Sequence, residues 1–143
     1  MKEIKLHGAT NGAIEEPPIK TKPEVDSEVL EAIDPNTLED SFVYVHCHFK
    51  NEGGEMLIRI WRSTFLIDRA SSARSELLHA ENISFAPLWC VVPAHSTYSF
   101  LLIFSGLPKD CTSFDLFEDI PQAGGFFVSG IARNARDVYH VNI

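Results

Sequence analysis

From Ser41 to the end, the chain is a succession of β-branched and aromatic runs, each of five to nine residues and broken by Gly, Pro, Asn and Asp. This texture constrains the fold more than any other feature, because such runs pack well on a pleated, half-buried surface and their breakers end strands. Strands are predicted near 42–49, 56–62, 64–68, 76–81, 88–92, 97–104, 112–117 and 126–131, with a ninth over 137–142. No long amphipathic helix separates them. Parallel βαβ architecture is therefore disfavoured, and the prediction is a mainly all-β fold, an antiparallel β-sandwich.

The first forty residues have a different character. Residues 8–24 contain Gly8, Gly12, Pro17, Pro18 and Pro23 and lack a period of either two or 3.6, so they read as an extended lead-in. After Pro23, residues Val25, Val29, Leu30 and Ile33 fall on one helical face until Asp34-Pro35 stops it, which predicts one short N-terminal helix. The expected division is a lead-in with that helix over 1–40 and a β-sandwich domain over 41–143. No internal repeat or low-complexity tract is present.

Bulk composition narrows the partners. At 143 residues and 45% hydrophobic content, one domain can bury a core without a metal or disulfide staple. Twelve Lys and Arg stand against twenty Asp and Glu, a formal charge of −8, so the average field repels a phosphate backbone. The basic residues are also dispersed, and neither nucleic acid nor an anionic membrane surface is expected as a partner. No window approaches the roughly 20 apolar residues of a membrane span. Met1 to His7 lacks the apolar core of a secretory signal, so a cytoplasmic location is expected, or an exported one if a leader was removed ahead of Met1. Cys47 and Cys90 lie in apolar runs and read as reduced core residues, Cys111 lies in a turn, and the odd count argues against a disulfide framework. The sequon Asn82-Ile83-Ser84 matters only in a glycosylating pathway.

The sharpest local expectation is a hairpin at Asn51-Glu52-Gly53-Gly54, whose glycines suit a tight turn. With Lys50 opposite Glu55, the pairs Phe49–Met56, Cys47–Ile58 and Val45–Ile60 form an apolar face. The other face then joins His48 to Leu57, His46 to Arg59 and Tyr44 to Trp61.

The order of segments resembles the immunoglobulin-like β-sandwich domains of uncharacterised, often exported, bacterial proteins. The resemblance rests on Ser63-Thr64-Phe65-Leu66-Ile67-Asp68, Glu76 to Ile83, Val92 to Phe100, the run Leu101-Leu102-Ile103-Phe104 with its Leu107-Pro108 turn, Phe114 to Glu118, and Phe127 to Ile131. It covers about 90 residues and is architectural. It implies a domain that binds or spaces and transfers no catalytic residues.

Three patterns carry chemistry. His46-Cys47-His48 puts two imidazoles on one strand face, as a metal pair requires, with a third ligand to come from His79, His95 or an acidic loop residue. The competing reading makes them half-exposed sheet residues beside the Arg59 cation. The patch of Phe42, Tyr44, His46, His48, Leu57, Arg59 and Trp61 has the residue types of binding hot spots; the competing reading is that the N-terminal helix or the lead-in packs on this face and buries it. The acidic pairs Glu15-Glu16, Glu39-Asp40 and Glu118-Asp119 read as solvating loop charges, and Gly124-Gly125 as a turn. No Gly-x-Ser-x-Gly elbow or His-Glu-x-x-His helix occurs. The leading expectation is a non-enzymatic binding or accessory module for a protein or glycan, with contact residues Tyr44, His46, His48, Arg59 and Trp61, no cofactor, and a homo-oligomer arising through an edge strand or the aromatic face. The alternative is a small metal-binding protein or hydrolase built on His46 and His48.

Overall fold

The computed structural model describes residues 42–143, which form nine strands and no helix. They are β1 (Val43–Asn51), β2 (Met56–Ile58), β3 (Thr64–Asp68), β4 (Arg74–Glu81), β5 (Cys90–Val92), β6 (Ser96–Phe104), β7 (Ser113–Glu118), β8 (Phe127–Ala132) and β9 (Val138–Asn142). The fold is all-β, and each strand overlaps one of the nine predicted runs. The short helix expected within 1–40 lies outside the described residues. No helix among the described residues is long and apolar enough to cross a membrane.

Seven strands hydrogen-bond in the order β8-β7-β3-β4-β6-β1-β9, and β2 pairs with β5 separately. Strand β4 is the corner of the large sheet. Its first residues, Arg74, Ser75 and Glu76, pair with β3, whereas Leu77 to Glu81 pair with β6, with a register shift between Leu77 and His79. Strands that change partners through such irregularities turn corners between packed layers. The turn is also required by chain length. Edge strands β8 and β9 are joined by only residues 133–137. Seven flat strands at about 4.8 Å spacing would separate the edges by about 29 Å, beyond the roughly 23 Å that six Cα steps can reach. Accordingly Phe114 of β7 lies edge-on to Tyr139 of β9, ring centroids 5.0 Å apart.

Alternation sets the core. Val43, Val45 and Cys47 of β1, Phe100, Leu102 and Phe104 of β6, and Leu116, Val128 and Val141 point inward into one buried cluster with Ile58, Ile60 and Val92. The opposite face of β6 and β1 is also apolar near its middle, where Phe42, Tyr44, Leu101, Ile103 and Val138 form a second buried cluster. That is why Phe100 to Phe104 is an unbroken apolar run instead of an alternating one.

Two expectations are corrected. The hairpin between β1 and β2 does not form: β1 lies between β6, antiparallel, and β9, parallel, while β2 pairs with β5. The buried Asn51 explains the crossing, because its amide nitrogen donates to the carbonyls of Gly54 and Pro93, 3.0 and 2.9 Å away, and so steers the chain into the second sheet. The alternation itself was correct, since stacked layers and a hairpin both aim Val45, Cys47, Ile58 and Ile60 at one core. The sheet is also not purely antiparallel, because β9 joins β1 in parallel.

The β8–β9 connection is held by a dense polar cluster. Arg133 grips the Asp137 carboxylate through Nε at 2.6 Å and Nη2 at 3.0 Å, and its Nη1 donates to the Pro108 carbonyl. The fully buried Tyr139 donates its hydroxyl to Asp137 and accepts from the Asn134 amide. Tyr139→Phe keeps the ring but removes one hydrogen bond each from the Asp137 carboxylate and the Asn134 amide, so it should cost about 1–3 kcal/mol in urea unfolding. A loss within a few tenths of a kcal/mol would show that this cluster does not hold the edges together.

Candidate functional site

The structure divides the expected patch in two. Because β1 and β2 lie in different sheets, the pairs His46–Arg59 and Tyr44–Trp61 are absent. Tyr44 is only 6% exposed and packs with Phe42, Leu101 and Ile103, so it is a core residue and not an exposed contact.

His46 and His48 do share the outward face of β1. The third imidazole beside them is His140 of β9, placed opposite His46 by the parallel register, while Ser99 of β6 stands opposite His48. His79 instead lies 3.9 Å from Glu81, and His95 lines a cleft with Lys50. The His48 Nδ1 is 2.7 Å from the Ser99 hydroxyl, and its Nε2 is 3.1 Å from His140 Nδ1. The His48 and His140 rings are nearly coplanar with centroids 5.4 Å apart, which is the nitrogen separation plus one ring radius at each end. The two nitrogens therefore meet head-on, as in a linear N–H···N hydrogen bond. His46 lies flat against His140 with centroids 4.5 Å apart. The three rings form a chain of one stacked and one in-line contact, and no group of three or more His, Cys, Asp or Glu among the described residues is arranged to hold a metal ion.

Burial, followed by the charges that His140 and His48 would carry, pushes the His46 pKa down to about 4. Burial alone raises that of Cys47, which points inward from the same strand. Beside this chain, Lys50, Asn51, Glu52, His95, Ser96 and Thr97 line a cleft of about 290 Å³.

Arg59 and Trp61 belong to the other site. The Arg59 guanidinium lies 3.9 Å from the Trp89 ring centroid and 5.3 Å from that of Trp61, and its Nη1 donates to the Pro87 carbonyl. Arg62 covers the Phe85 ring at 3.9 Å. A cleft of about 390 Å³ is lined by Arg59, Trp61, Arg62, Ser63, Ala86 and Pro87, with Leu88 and Val91 exposed nearby in the chain. Glu118, expected to be a solvating loop charge, is buried: one carboxylate oxygen accepts the Trp61 amide at 2.9 Å and the other the Phe126 amide at 3.1 Å. It thereby fixes the backbone beneath the cleft. Gly125 permits this approach, since a Cβ there would collide with the Glu118 carbonyl. The pairs Glu15-Glu16 and Glu39-Asp40 lie outside the described residues.

Sequence reasoning missed Ser99, His140, Trp89, Arg62 and the buried role of Glu118. His140 and Ser99 carry no local signal, because strand partners distant in sequence bring them to His48. Trp89 was recognisable only as an aromatic in a strand.

His46 makes a specific pH prediction. Its folded pKa lies below the ordinary 6.5, so its contribution to stability is complete above about pH 6.5 and is lost as pH falls toward 4, where the unfolded chain takes up the proton first. Between pH 7.5 and 5, wild type should lose on the order of 1 kcal/mol more than His46→Gln in urea titrations, after allowance for the residual exposure of the ring. Identical pH dependence in the two proteins would show that His46 titrates normally.

No family model, curated protein or solved structure matches the chain.

Proposed function

We propose that the protein is a binding or accessory module whose partner, a protein, docks at the cleft lined by Arg59, Trp61 and Arg62. The observation that carries this reading is the arginine held against two indoles at the wall of an open cleft, in a chain of formal charge −8. Trp and Arg dominate binding hot spots because a partner that desolvates them gains both apolar burial and charged hydrogen bonds. A protein suits the site better than a glycan. Sugars stack on open aromatic faces, whereas Trp61 and Trp89 each have a face against Arg59, and Phe85 is covered by Arg62. The exposed apolar side chains Leu88, 68% accessible, and Val91, 51%, extend the surface in the manner of a protein interface. The exposed Arg62 guanidinium in the cleft favours an acidic segment of that partner.

The test is photo-crosslinking from a benzophenone side chain placed at position 88, followed by mass spectrometry of the adduct. A single protein adduct is expected. Trp61→Ala and Arg62→Glu should each abolish it while leaving the thermal midpoint near that of wild type, and Trp61→Ala should weaken the identified partner by about 2 kcal/mol or more, roughly 30-fold in Kd. An adduct that forms equally in both variants would overturn the assignment of the cleft. A large fall in midpoint on Trp61→Ala, with Arg62→Glu binding as wild type, would assign Trp61 to folding and overturn it equally.

A further inference from the structure

We propose that Ser99 is an acyl-transfer nucleophile activated by His48, giving the protein an esterase activity toward short-chain carboxylic esters on the outward face of β6, β1 and β9. The activity is independent of the Trp61 cleft. A serine hydroxyl is inert unless a base removes its proton as it attacks, and a base is effective when a third group holds it in the correct tautomer. Both conditions are met. The exposed Ser99 places Oγ 2.7 Å from His48 Nδ1, and His48 Nε2 faces His140 Nδ1 in line at 3.1 Å. With each neutral ring protonated at Nε2, the chain runs in one direction: Ser99 O–H donates to His48, and His48 N–H donates to His140. A lone serine–histidine pair across two strands is only a surface hydrogen bond, and it is the second, linear bond that fixes the base.

The remaining requirement is stabilisation of the oxyanion. Lys50 and Thr97 are the next cross-strand pair on the same face, two residues beyond His48 and Ser99 and so about 7 Å along the strands. They line the cleft of about 290 Å³, a size suited to a small acyl group. The ion pair of Lys50 with Glu52 is solvent-exposed, hence weak, so the ammonium can turn to the developing charge.

The chemistry balances with water as the only co-reactant. Ser99 Oγ bonds to the ester carbonyl carbon while its proton passes to His48 Nδ1, and the carbonyl oxygen becomes an oxyanion facing Lys50 and Thr97. The bond to the alcohol oxygen then breaks, and His48 returns the proton to that oxygen. Water repeats the sequence on the acyl-serine, releasing the carboxylic acid and restoring Ser99. His140 is a positioning residue that accepts the hydrogen bond from His48 Nε2–H and steadies the transient imidazolium. The stacked His46 is uncharged at neutral pH, because burial holds its pKa near 4, and so does not oppose that charge.

The experiment pairs p-nitrophenyl acetate turnover with labelling by a fluorophosphonate probe and peptide mass spectrometry. Ser99 is expected to carry the label, approaching one per chain, and Ser99→Ala, an exposed and conservative change, should lower turnover on the order of 100-fold. His48→Ala should cost about as much, and the double variant no more, because the two act as one unit. His140→Leu should lower kcat with KM unchanged, and His140→Asn, whose side-chain carbonyl also accepts a hydrogen bond from Nε2–H, should restore most of it. Absence of label on Ser99, or a Ser99→Ala protein that folds and turns over ester as fast as wild type, would overturn the proposal. Equal loss in His140→Leu and His140→Asn would overturn the positioning role.

Discussion

The parallel pairing of β1 with β9 is the constraint on which the rest of the structure depends. A parallel pair cannot be made by a tight turn, so nearly the whole described chain must be laid down between its two members before it forms. Once made, it completes the β4–β6–β1–β9 layer and brings Tyr139 against Phe114 of the facing layer. The Arg133–Asp137–Tyr139 cluster is what makes this closure specific. It orders the connection between the two edges with charged and buried hydrogen bonds, which are worth more than neutral, exposed ones.

Both proposed sites follow from that closure and from the separation of the small sheet. On the outward face of β1, the registers with β6 and β9 place Ser99, His48, His140 and His46 in a chain in which every polar contact is between residues far apart in sequence. On the other side, the departure of β2 from β1 leaves Arg59 to meet both Trp61 and Trp89 through the β2–β5 pair and the 85–89 turn. The buried Glu118 links that site to the large sheet, since it accepts backbone amides from Trp61 and Phe126 at once. A carboxylate taken out of water costs free energy unless its oxygens are satisfied. In this position it acts as a rigid cross-link and not as a solvating charge.

The −8 formal charge acquires a local meaning as well. Acidic residues outnumber basic ones in the chain, yet Arg59 and Arg62 both lie over aromatic rings beside the cleft.

Strand content was legible in the sequence because it is written locally: β-branched and aromatic residues alternate in Val43 to Phe49, and Gly, Pro and Asn end each run. The inward side of β1 was legible for the same reason, since Val45 and Cys47 keep a strict period of two. Pairing was not legible. The alternation in 43–49 and 56–60 fits a hairpin and two facing sheets equally well, and the choice lay with Asn51, whose amide reaches carbonyls on both sides of the crossing. The sequence alone determined which residues prefer strands, which side of β1 faces the core, and that the chain carries a formal charge of −8. The tertiary structure alone decided that Tyr44 is buried, that Glu118 is a cross-link, and that His140 and Ser99 stand beside His48. The reason is physical: side-chain periodicity is a property of one strand, whereas register between strands is fixed by the free energy of closing the whole core.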